Sequence, residues 1–430
     1  MPEDGKNMSQ TGGGSGTACT FAVAQLGARM HYAVPKILHR QGKLKRLYTD
    51  SLLPAWMRRE PVRTLLRQKG PGPVKRLVGR HPEGIPDGLI RSFQMFGLWY
   101  AMQKAACRDS DDALRMYLRI NPVFCRMVAE ELDVGVQAIY TFNSSALEIL
   151  EATRARACRT VLEQTIAPQE IESRIMAEER ESWPGWERGT PSELLVREFC
   201  SREREEWNLA GQIVCGSDFV REGVVSAGGP RDKCVVVPYG VDPPVTSSPL
   251  KQRERELRVL FCGTLNLRKG VPYLLEVAKE LAGKGFTFRA VGPYELAGSK
   301  VAELSEHIEL TGSIPRTEVR KQFEWADVFV FPSMCEGSAT VCYEALAAAL
   351  PVITTPNAGS VVRDGIDGYI VPPRGVDIIV DRLRRLREDR ALLETLSAAA
   401  VLRAQEFTVE SYGVRLMEAI GTLTAQLPEC

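Results

Sequence analysis

Residues 327–354, DVFVFPSMCEGSATVCYEALAAALPVIT, decide how this chain folds. The segment opens with an apolar run that is typical of a buried strand, and a Pro-Ser pair then turns the chain. Small and apolar residues continue as a helix up to Pro351, where a second strand begins. A strand, a crossover helix and another strand predict the parallel pairing of doubly wound α/β sheets.

The same alternation extends in both directions from this segment. Strands are predicted at 21–25, 44–49, 137–142, 160–164, 212–215 and 234–238 in the first half, and at 258–262, 286–291, 307–310, 327–331, 352–354 and 369–371 in the second. Gly, Pro and Ser gather at 239–249 and charges at 251–258, which indicates a hinge and a domain boundary near 245–256. The predicted fold class is therefore α/β, with two Rossmann-like doubly wound domains.

Length and composition agree with this organisation. The 430 residues are about two to three times the usual length of one domain. A hydrophobic share of 44% and a net charge of +1 describe an ordinary globular protein and point to no particular partner. We expect a flexible Gly/Ser-rich tail at 1–18, an N-terminal domain at 19–250, a C-terminal domain at 251–404, and a last helix at 405–430 that packs back on the N-terminal domain.

Cysteine usage and hydropathy indicate the cellular context. The eleven cysteines are odd in number and are never spaced as Cys-x-x-Cys, which disfavours a disulfide framework and a structural zinc site. No apolar run approaches the ~20 residues of a spanning helix, and the first residues lack a signal-like apolar region. We therefore expect a cytoplasmic protein.

Two glutamates frame the helix of the opening segment. Glu336 lies in the loop before the helix and Glu344 lies inside it, and residues 328–362 contain no other Asp, Glu, Lys, Arg or His. A carboxylate among apolar neighbours needs a hydrogen-bond donor, which the vicinal hydroxyls of a ligand would supply. A solvent-facing side chain on a half-exposed helix is the alternative for Glu344.

Features suited to phosphate lie near these glutamates. The amides of residues 337–339 precede the helix, where its dipole favours an anion. Arg268 and Lys269 follow the first strand of the second half and predict a diphosphate clamp, against the alternative of a solvated basic loop. Residues that permit close backbone approach or a sharp turn follow the strands of this half: Gly263, Gly292, Gly312, Ser333 and Thr355. Their concurrence at one sheet edge predicts a ligand site.

The ordered series of these motifs resembles glycosyltransferase family 4, a family of retaining enzymes with the GT-B fold. The resemblance covers residues 259–373 and rests on Pro-Ser at 332–333, two glutamates separated by seven residues, Leu-Pro-Val-Ile at 350–353, Asn-Ala-Gly at 357–359 and Asp-Gly-x-Asp-Gly at 364–368. It implies transfer of a sugar from a nucleotide-diphosphate donor to a glycan or lipid-linked acceptor, in cell-envelope polysaccharide or glycolipid synthesis. It implies no cofactor and no metal.

The resemblance also implies a role for each motif residue. Glu336 would contact hydroxyls of the transferred sugar, Glu344 the ribose hydroxyls, and Lys269 the diphosphate. Thr264 stands where the family often has an arginine, so Arg268 would supply the second cation, and the usual Gly-Phe-Gly-Leu is Gly-Ser-Ala-Thr at 337–340. Further donor contacts are expected from Gly263, Gly292, Thr311, Gly337, Ser338 and Ala339.

The N-terminal half resembles the family only in outline. Its first loop contains Gly27, Arg29 and His31 and is expected to face the donor phosphates and the acceptor. His31 as a general base, and Glu163 at another strand end, are hypotheses beside the alternative of structural roles. A nucleotide-sugar 2-epimerase of the same fold and a non-catalytic nucleotide-sugar-binding protein are the alternatives for the whole chain.

Residues 29–80 are strongly basic, with fourteen Lys or Arg residues and two acids. Leu52, Leu53, Trp56 and Met57 interleave with the charges, a pattern typical of the interface of an anionic membrane. This predicts peripheral association at the inner face of the membrane, against the alternatives of a solvated basic surface or pairing with the acid-rich helices at 170–206. Nucleic acid is not an expected partner, because no recognised binding module accompanies the charge.

Overall fold

Two parallel sheets form the framework of the protein. The computed structural model describes residues 19–69, 78, 80–242 and 256–421. The tail predicted at 1–18 lies outside the described residues, as does most of the hinge predicted at 245–256. The two sheets, one on each side of the gap at 243–255, confirm the predicted class of two Rossmann-like domains.

The first sheet and its helices precede residue 243. Its strands are β1 (Phe21–Gln25), β2 (Leu44–Thr49), β3 (Ile90–Ser92), β4 (Ala138–Phe142), β5 (Arg159–Gln164), β6 (Gln212–Cys215) and β7 (Cys234–Val236). Its helices are α1 (Ala33–Arg40), α2 (Ala55–Arg58), α3 (Val62–Lys69), α4 (Gln94–Ala106), α5 (Ser110–Glu131), α6 (Leu147–Thr153), α7 (Gln169–Ser182), α8 (Glu193–Leu209) and α9 (Asp218–Ser226). All strand pairs are parallel, in the order β3-β2-β1-β4-β5-β6-β7.

The second sheet follows residue 256. Its strands are β8 (Leu257–Cys262), β9 (Phe286–Val291), β10 (Glu309–Gly312), β11 (Val328–Phe331), β12 (Val352–Thr354) and β13 (Gly368–Ile370). The helices are α10 (Val271–Leu281), α11 (Gly298–Ser305), α12 (Arg316–Trp325), α13 (Thr340–Ala347), α14 (Val376–Glu388), α15 (Arg390–Glu406) and α16 (Val409–Gly421). These strands are also parallel, in the order β10-β9-β8-β11-β12-β13.

The strand orders determine where a ligand can bind. Central strands such as β11 are completely buried, because helices cover both faces of a parallel sheet. The direction of winding reverses between β1 and β4 in the first sheet and between β8 and β11 in the second. Crevices open beyond the carboxyl ends of strands at such reversal points. The loops after β1, β8 and β11 are therefore the expected walls of a site.

Contacts between the lobes are extensive on the side of α7. The Glu179 carboxylate is buried, and it accepts hydrogen bonds from the Tyr273 hydroxyl (2.7 Å) and from Nε of Arg374 (2.8 Å) in the second lobe. The ring of Trp183 packs edge-on against Tyr273 with centroids 5.4 Å apart. A buried carboxylate that accepts two hydrogen bonds from the other lobe, one of them from a guanidinium, links the two lobes on this side of the cleft.

The chain returns to the first lobe at its end. The Gln212 side chain donates to the carbonyl of Ala419 in α16 (3.0 Å), and the rings of Tyr412 and Tyr239 lie 5.8 Å apart. Helix α16 therefore packs against the N-terminal lobe. Across the described ranges, no helix has both the length and the apolar character needed to cross a membrane.

Candidate active site

A cleft of about 930 Å³ separates the two lobes at the carboxyl ends of their strands. One wall consists of the loops after β1, β4 and β5 with faces of α4, α5, α7 and α8, and the other of the loops after β8 and β11. The residues predicted from sequence that line it are Gly27, Arg29, Glu163, Arg268, Glu336, Gly337 and Ser338. The structure thus brings together residues that lie as far as 311 positions apart in the chain.

The loop after β1 is held in an unusual conformation. Its Gly27 amide donates to the buried Asp50 carboxylate (3.0 Å), and the Gln25 side chain donates to the carbonyls of Gly27 and Arg29. Residues 30–32 have φ values of 43°, 51° and 61°, so three consecutive non-glycine residues adopt left-handed backbone. Such strain is typical of ligand-binding loops, which the surrounding structure holds in place.

Arg29 reaches from this loop into the cleft. One guanidinium nitrogen donates to the Thr165 hydroxyl (2.8 Å), and the guanidinium lies over the ring of Phe142 at 5.5 Å. Its Nε is buried and has no hydrogen-bond partner among the described residues. A buried donor without an acceptor is unfavourable, so this side chain suits a ligand that brings an oxygen atom.

The predicted clamp lies opposite, in a short 3-10 turn at Leu267–Lys269. The Asn266 side chain caps this turn by accepting the Lys269 amide (3.0 Å), and Gly270 follows at a φ of 70°. A Cβ atom at Gly270 would lie 2.0 Å from the carbonyl oxygen of Pro332, so the turn packs directly on the loop after β11. This packing places the two basic side chains of the turn beside the glutamate in the loop after β11.

Glu336 occupies the centre of the clamp. Its Oε1 accepts from a guanidinium nitrogen of Arg268 (3.1 Å), contacts Nζ of Lys269, and lies 3.4 Å from the Ser333 hydroxyl. Burial lowers the pKa of Lys269, while the Glu336 charge opposes that shift. Sequence reasoning placed the glutamate on the sugar and the cations on phosphate. In the structure the carboxylate contacts both cations. Its predicted contact with the sugar stays a prediction.

The loop after Glu336 touches the opposite lobe. The Ser217 hydroxyl donates to the Gly337 carbonyl (2.5 Å), and a Cβ atom at Gly337 would lie 1.8 Å from the carbonyl oxygen of Thr165. The amides of Gly337 and Ser338 have no partner among the described residues. The prediction for Ala339 needs correction: its amide donates to Ala358 (3.0 Å) and is not available to a ligand.

Glu344 lies on the flank of the clamp and is half-buried. Its carboxylate contacts Arg316 of α12 (3.5 Å), and the same guanidinium contacts Nε2 of His31 from the other lobe. Burial raises the pKa of Glu344, with Arg316 opposing the shift. Partial desolvation and then the Arg316 charge lower the pKa of His31. The sequence shows no ion partner within the helix of Glu344, and the structure supplies one from α12.

Gly263, Gly292 and Thr311 lie side by side where β8, β9 and β10 end. The Gly263 amide donates to Val291 (2.9 Å), and the Gly292 amide donates to Gly312 (3.0 Å). Burial, and then the charge of Glu344, raise the pKa of Cys262 at the end of β8 to about 12. These residues form one continuous edge beside the clamp.

Glu163 lies at the cleft, and its hydrogen bonds favour the structural alternative to the hypothesis of a general base. The Tyr140 and Tyr239 hydroxyls each donate to its carboxylate at 2.6 Å, and burial raises its pKa. This arrangement holds Tyr239 in place.

Sequence reasoning missed Arg180 of α7, which lines the cleft and whose Nε is buried without a partner among the described residues. It also missed Thr165, although a polar residue directly after a strand indicates a ligand contact at the carboxyl edge of a parallel sheet.

A metal centre is not apparent in the part of the chain that the structure describes. No group of three or more His, Cys, Asp or Glu side chains is placed to hold an ion there. The facing wall of the cleft carries both cations and carboxylates, and one of these carboxylates, Glu172 of α7, lies 3.9 Å from Nε of Arg268.

Sequence comparisons connect the chain with glycosyltransferases. Residues 256–389 match the family model described as Glycosyl transferases group 1. WcaL of Salmonella typhimurium, named for colanic acid biosynthesis, is 28% identical over 225 residues, which cover 48% of this chain and 55% of WcaL. AmsK of Erwinia amylovora, an amylovoran biosynthesis glycosyltransferase, is 26% identical over 184 residues, which cover 39% of this chain and 45% of AmsK. The chain spans about half the length of these curated relatives.

Solved structures extend the likeness to both lobes. HepE of Anabaena in complex with UDP and glucose superposes with a TM-score of 0.60 at 16% identity, covering 94% of this chain and 100% of HepE. Sucrose-phosphate synthase of Thermosynechococcus elongatus gives a TM-score of 0.66 at 15% identity, covering 95% and 100%. At these identities the likeness establishes the fold, which is GT-B as predicted.

Proposed function

We propose that the protein is a retaining glycosyltransferase of family 4 that moves a sugar from a nucleotide-diphosphate donor to a glycan or lipid-linked acceptor in polysaccharide synthesis. One observation carries the proposal. Arg268 and Lys269 converge on the carboxylate of Glu336, and the next two amides along the chain, those of Gly337 and Ser338, have no partner among the described residues. Arg268 and Glu336 line the cleft between the lobes together with Gly337 and Ser338. Such a cluster suits the negative charge that develops on a departing diphosphate.

The proposed reaction needs little covalent chemistry from the protein. The bond between the anomeric carbon and the terminal phosphate oxygen breaks, and the acceptor oxygen bonds to that carbon from the same face. The acceptor proton passes to an oxygen of the departing diphosphate. Lys269 and Arg268 stabilise that diphosphate, so we expect neither a protein nucleophile nor a metal to be required.

Glu336 has two successive roles in this proposal. Without a donor, its carboxylate neutralises Lys269 and Arg268 and so maintains the clamp. When the donor binds, the diphosphate replaces the carboxylate between the cations. Glu336 then turns towards the hydroxyls of the transferred sugar, which are good donors to a carboxylate. This exchange accounts for both the observed contacts and the role implied by the resemblance.

Membrane association at the inner face is part of the proposal, although the surface differs from the predicted one. Leu52 and Leu53 are buried in the fold and therefore cannot enter a bilayer interface. Trp56 is exposed, and several basic side chains of 29–80 are exposed as well. Of the apolar residues predicted for this surface, Trp56 is therefore the one that remains exposed.

The first test is a thermal-shift panel with UDP, GDP, ADP and their sugar conjugates. A ligand at 100 times its Kd adds about 2.7 kcal/mol of stability, so one nucleotide and its sugar should shift the midpoint selectively. Release of that nucleotide should then depend on an acceptor. Conversion of the donor to its 2-epimer without acceptor would replace the proposal with the epimerase. Binding without turnover on any acceptor would replace it with the binding protein, and no shift at all would contradict the donor site.

Glu344→Ala should weaken binding of the nucleotide sugar about tenfold or more, because ribose hydroxyls lose a charged acceptor worth about 1.5–3 kcal/mol. Titration calorimetry measures the Kd, and the melting midpoint confirms folding. Glu318→Ala on α12 is the matched control, since that partly exposed glutamate pairs only with Lys321 among the described residues. An unchanged Kd in Glu344→Ala would remove the ribose role.

A further inference from the structure

The linker between α7 and α8 crosses from the N-terminal lobe onto the second lobe. We name residues 183–192 the α7–α8 linker. Its Trp186 is buried, and the Trp186 carbonyl accepts the amide of Ala297, just before α11, at 2.8 Å. Nζ of Lys300 in α11 lies 5.4 Å from the centre of the Trp186 ring. The linker is therefore anchored on the second lobe, although it belongs to the first.

This anchor places Glu187 beside the clamp. Oε1 of Glu187 accepts the amide of Leu267 at 2.7 Å. Leu267 is the first residue of the 3-10 turn Leu267–Lys269, which carries both cations of the clamp. Burial raises the pKa of Glu187, and the hydrogen bond from Leu267 opposes that shift because it stabilises the charged carboxylate. A carboxylate of one lobe thus binds the backbone of the turn in the other.

The other hydrogen bonds that support the start of the turn come from the second lobe itself. The Asn266 side chain accepts the Lys269 amide (3.0 Å) and donates through Nδ2 to Glu295 (2.9 Å). Separation of the lobes would leave these two hydrogen bonds intact, whereas the Leu267 amide would lose its acceptor. Because an amide at the start of a helical turn has no acceptor within the turn, this contact links the order of the turn to the closed arrangement of the lobes.

A second carboxylate of the N-terminal lobe faces the clamp. Glu172 of α7 lies 3.9 Å from Nε of Arg268, while Glu336 accepts from another nitrogen of that guanidinium at 3.1 Å. Glu172 therefore lies beside a side chain of the clamp, and Glu187 binds its backbone. Both contacts come from α7 and its linker, so the position of α7 bears directly on the geometry of the clamp.

We propose that Glu187 is a positioning residue for the diphosphate clamp, which it holds from the opposite lobe through the backbone of Leu267. Bringing the lobes together completes the turn, and Arg268 and Lys269 are then fixed where the diphosphate departs. A fixed cation stabilises a developing negative charge better than a mobile one, because no reorganisation is needed during the reaction. The contact with Leu267 stands by itself, whereas its effect on the diphosphate rests on the proposed function.

Three variants of the full chain test the proposal. Glu187→Ala removes the acceptor, and Glu187→Gln keeps an oxygen atom of the same reach without the charge. We expect Glu187→Ala to lower kcat on the order of tenfold, with the KM for the acceptor unchanged, and to weaken binding of whichever of UDP, GDP and ADP stabilises the unchanged protein. Glu187→Gln should recover most of the loss. The control Glu181→Ala alters an exposed glutamate of α7 and should behave like the unchanged protein.

Residue-resolved amide hydrogen exchange measures the contact independently of activity. In Glu187→Ala the Leu267 amide should exchange about tenfold faster or more, whereas the Lys269 amide, which Asn266 caps, should keep its rate. The melting midpoint checks the fold. Equal exchange at Leu267 in Glu187→Ala and in the unchanged protein would overturn the proposal at its first step.

Two further outcomes would overturn the positioning role. One is faster exchange at Leu267 with kcat and nucleotide affinity unchanged, because the contact would then be structural only. The other is an equal loss of kcat in Glu187→Gln and Glu187→Ala, since the clamp would then not depend on an oxygen acceptor. Failure of the proposed function looks different: the unchanged protein would neither bind a nucleotide nor transfer a sugar. The positioning role would fall with it, and the exchange at Leu267 would still show whether the contact exists.

Discussion

Lys269→Ala is expected to lower turnover by a factor on the order of 10² or more, as loss of one preorganised partner of an oxyanion does. The Lys269 side chain is 14% exposed, lies 5.2 Å from the centre of the Phe331 ring, and shares the Glu336 carboxylate with Arg268. Arg268 remains in the variant, so Glu336 keeps a counter-ion and the fold should persist. Initial rates with donor and acceptor measure the loss, and the melting midpoint checks the fold.

The pH dependence provides a second readout of the same residue. Burial lowers the pKa of Lys269, so in the free protein its positive charge is present below that pKa and is lost as the pH rises through it. As the pH rises, affinity for the nucleoside diphosphate should therefore begin to fall at a lower pH than it would if this lysine were fully exposed. Lys269→Arg should retain affinity at high pH, because a guanidinium stays charged.

Lys321→Ala is the matched control for this experiment. Lys321 is an exposed lysine on α12 that pairs with Glu318, and its loss should leave turnover and the pH profile unchanged. Unchanged turnover in Lys269→Ala would show that the clamp is misassigned. Equal pH profiles for the unchanged protein and Lys269→Arg would show that another group controls anion binding.

The fold was predictable because its signals are local. Strands β1, β2, β6 and β9 have the predicted bounds. Strands β1, β6 and β9 are rich in apolar or β-branched residues, whereas β2 (LKRLYT) includes two basic residues among its apolar positions. Strand β3 was missed because Ile90–Ser92 is a three-residue edge strand without a buried run. Strand β10 begins two residues later than predicted, which brings Thr311 inside the strand.

The sequence was sufficient to identify residues of the candidate site, but it was not sufficient to predict which of them contact each other. Arg268 and Glu336 each carry a motif, but their pairing joins residues 68 positions apart and depends on how the loops after β8 and β11 pack. The contact between His31 and Arg316 spans 285 positions and two lobes. Such pairings follow from tertiary packing, for which periodicity and motif spacing give no signal.

Burial explains the error in the basic segment. Leu52 and Leu53 alternate with charges in the sequence, yet they follow β2 and pack into the lobe. Exposed apolar side chains of α4 form a stripe with the spacing of an ordinary core face, so the sequence does not distinguish it from the buried stripe that contains Phe96. Only the position of α5 shows which stripe is covered.

Gly337→Ala is expected to lower turnover on the order of 10² as well, by a different cause. The added Cβ would meet the Thr165 carbonyl oxygen at 1.8 Å, and neither backbone segment can yield without moving a lobe. The loops of the two lobes would separate by about 1 Å or more, a misplacement that costs about 10² in a positioned reaction. Donor binding should fall less, because Lys269 and Glu344 belong to the same lobe as the loop and are not displaced from it.

Gly298→Ala is the control, since a Cβ atom there meets nothing within 4 Å in the same lobe. The measurements are initial rate, Kd for the nucleotide sugar, and radius of gyration by small-angle scattering. Gly337→Ala should show a lower rate, a Kd within about tenfold of the unchanged protein, and a larger radius, because the contact with Thr165 is lost. Equal rates and radii for the two variants would contradict this prediction. They would mean that the close contact of the Glu336 loop with the opposite lobe is not needed to bring the reacting groups together.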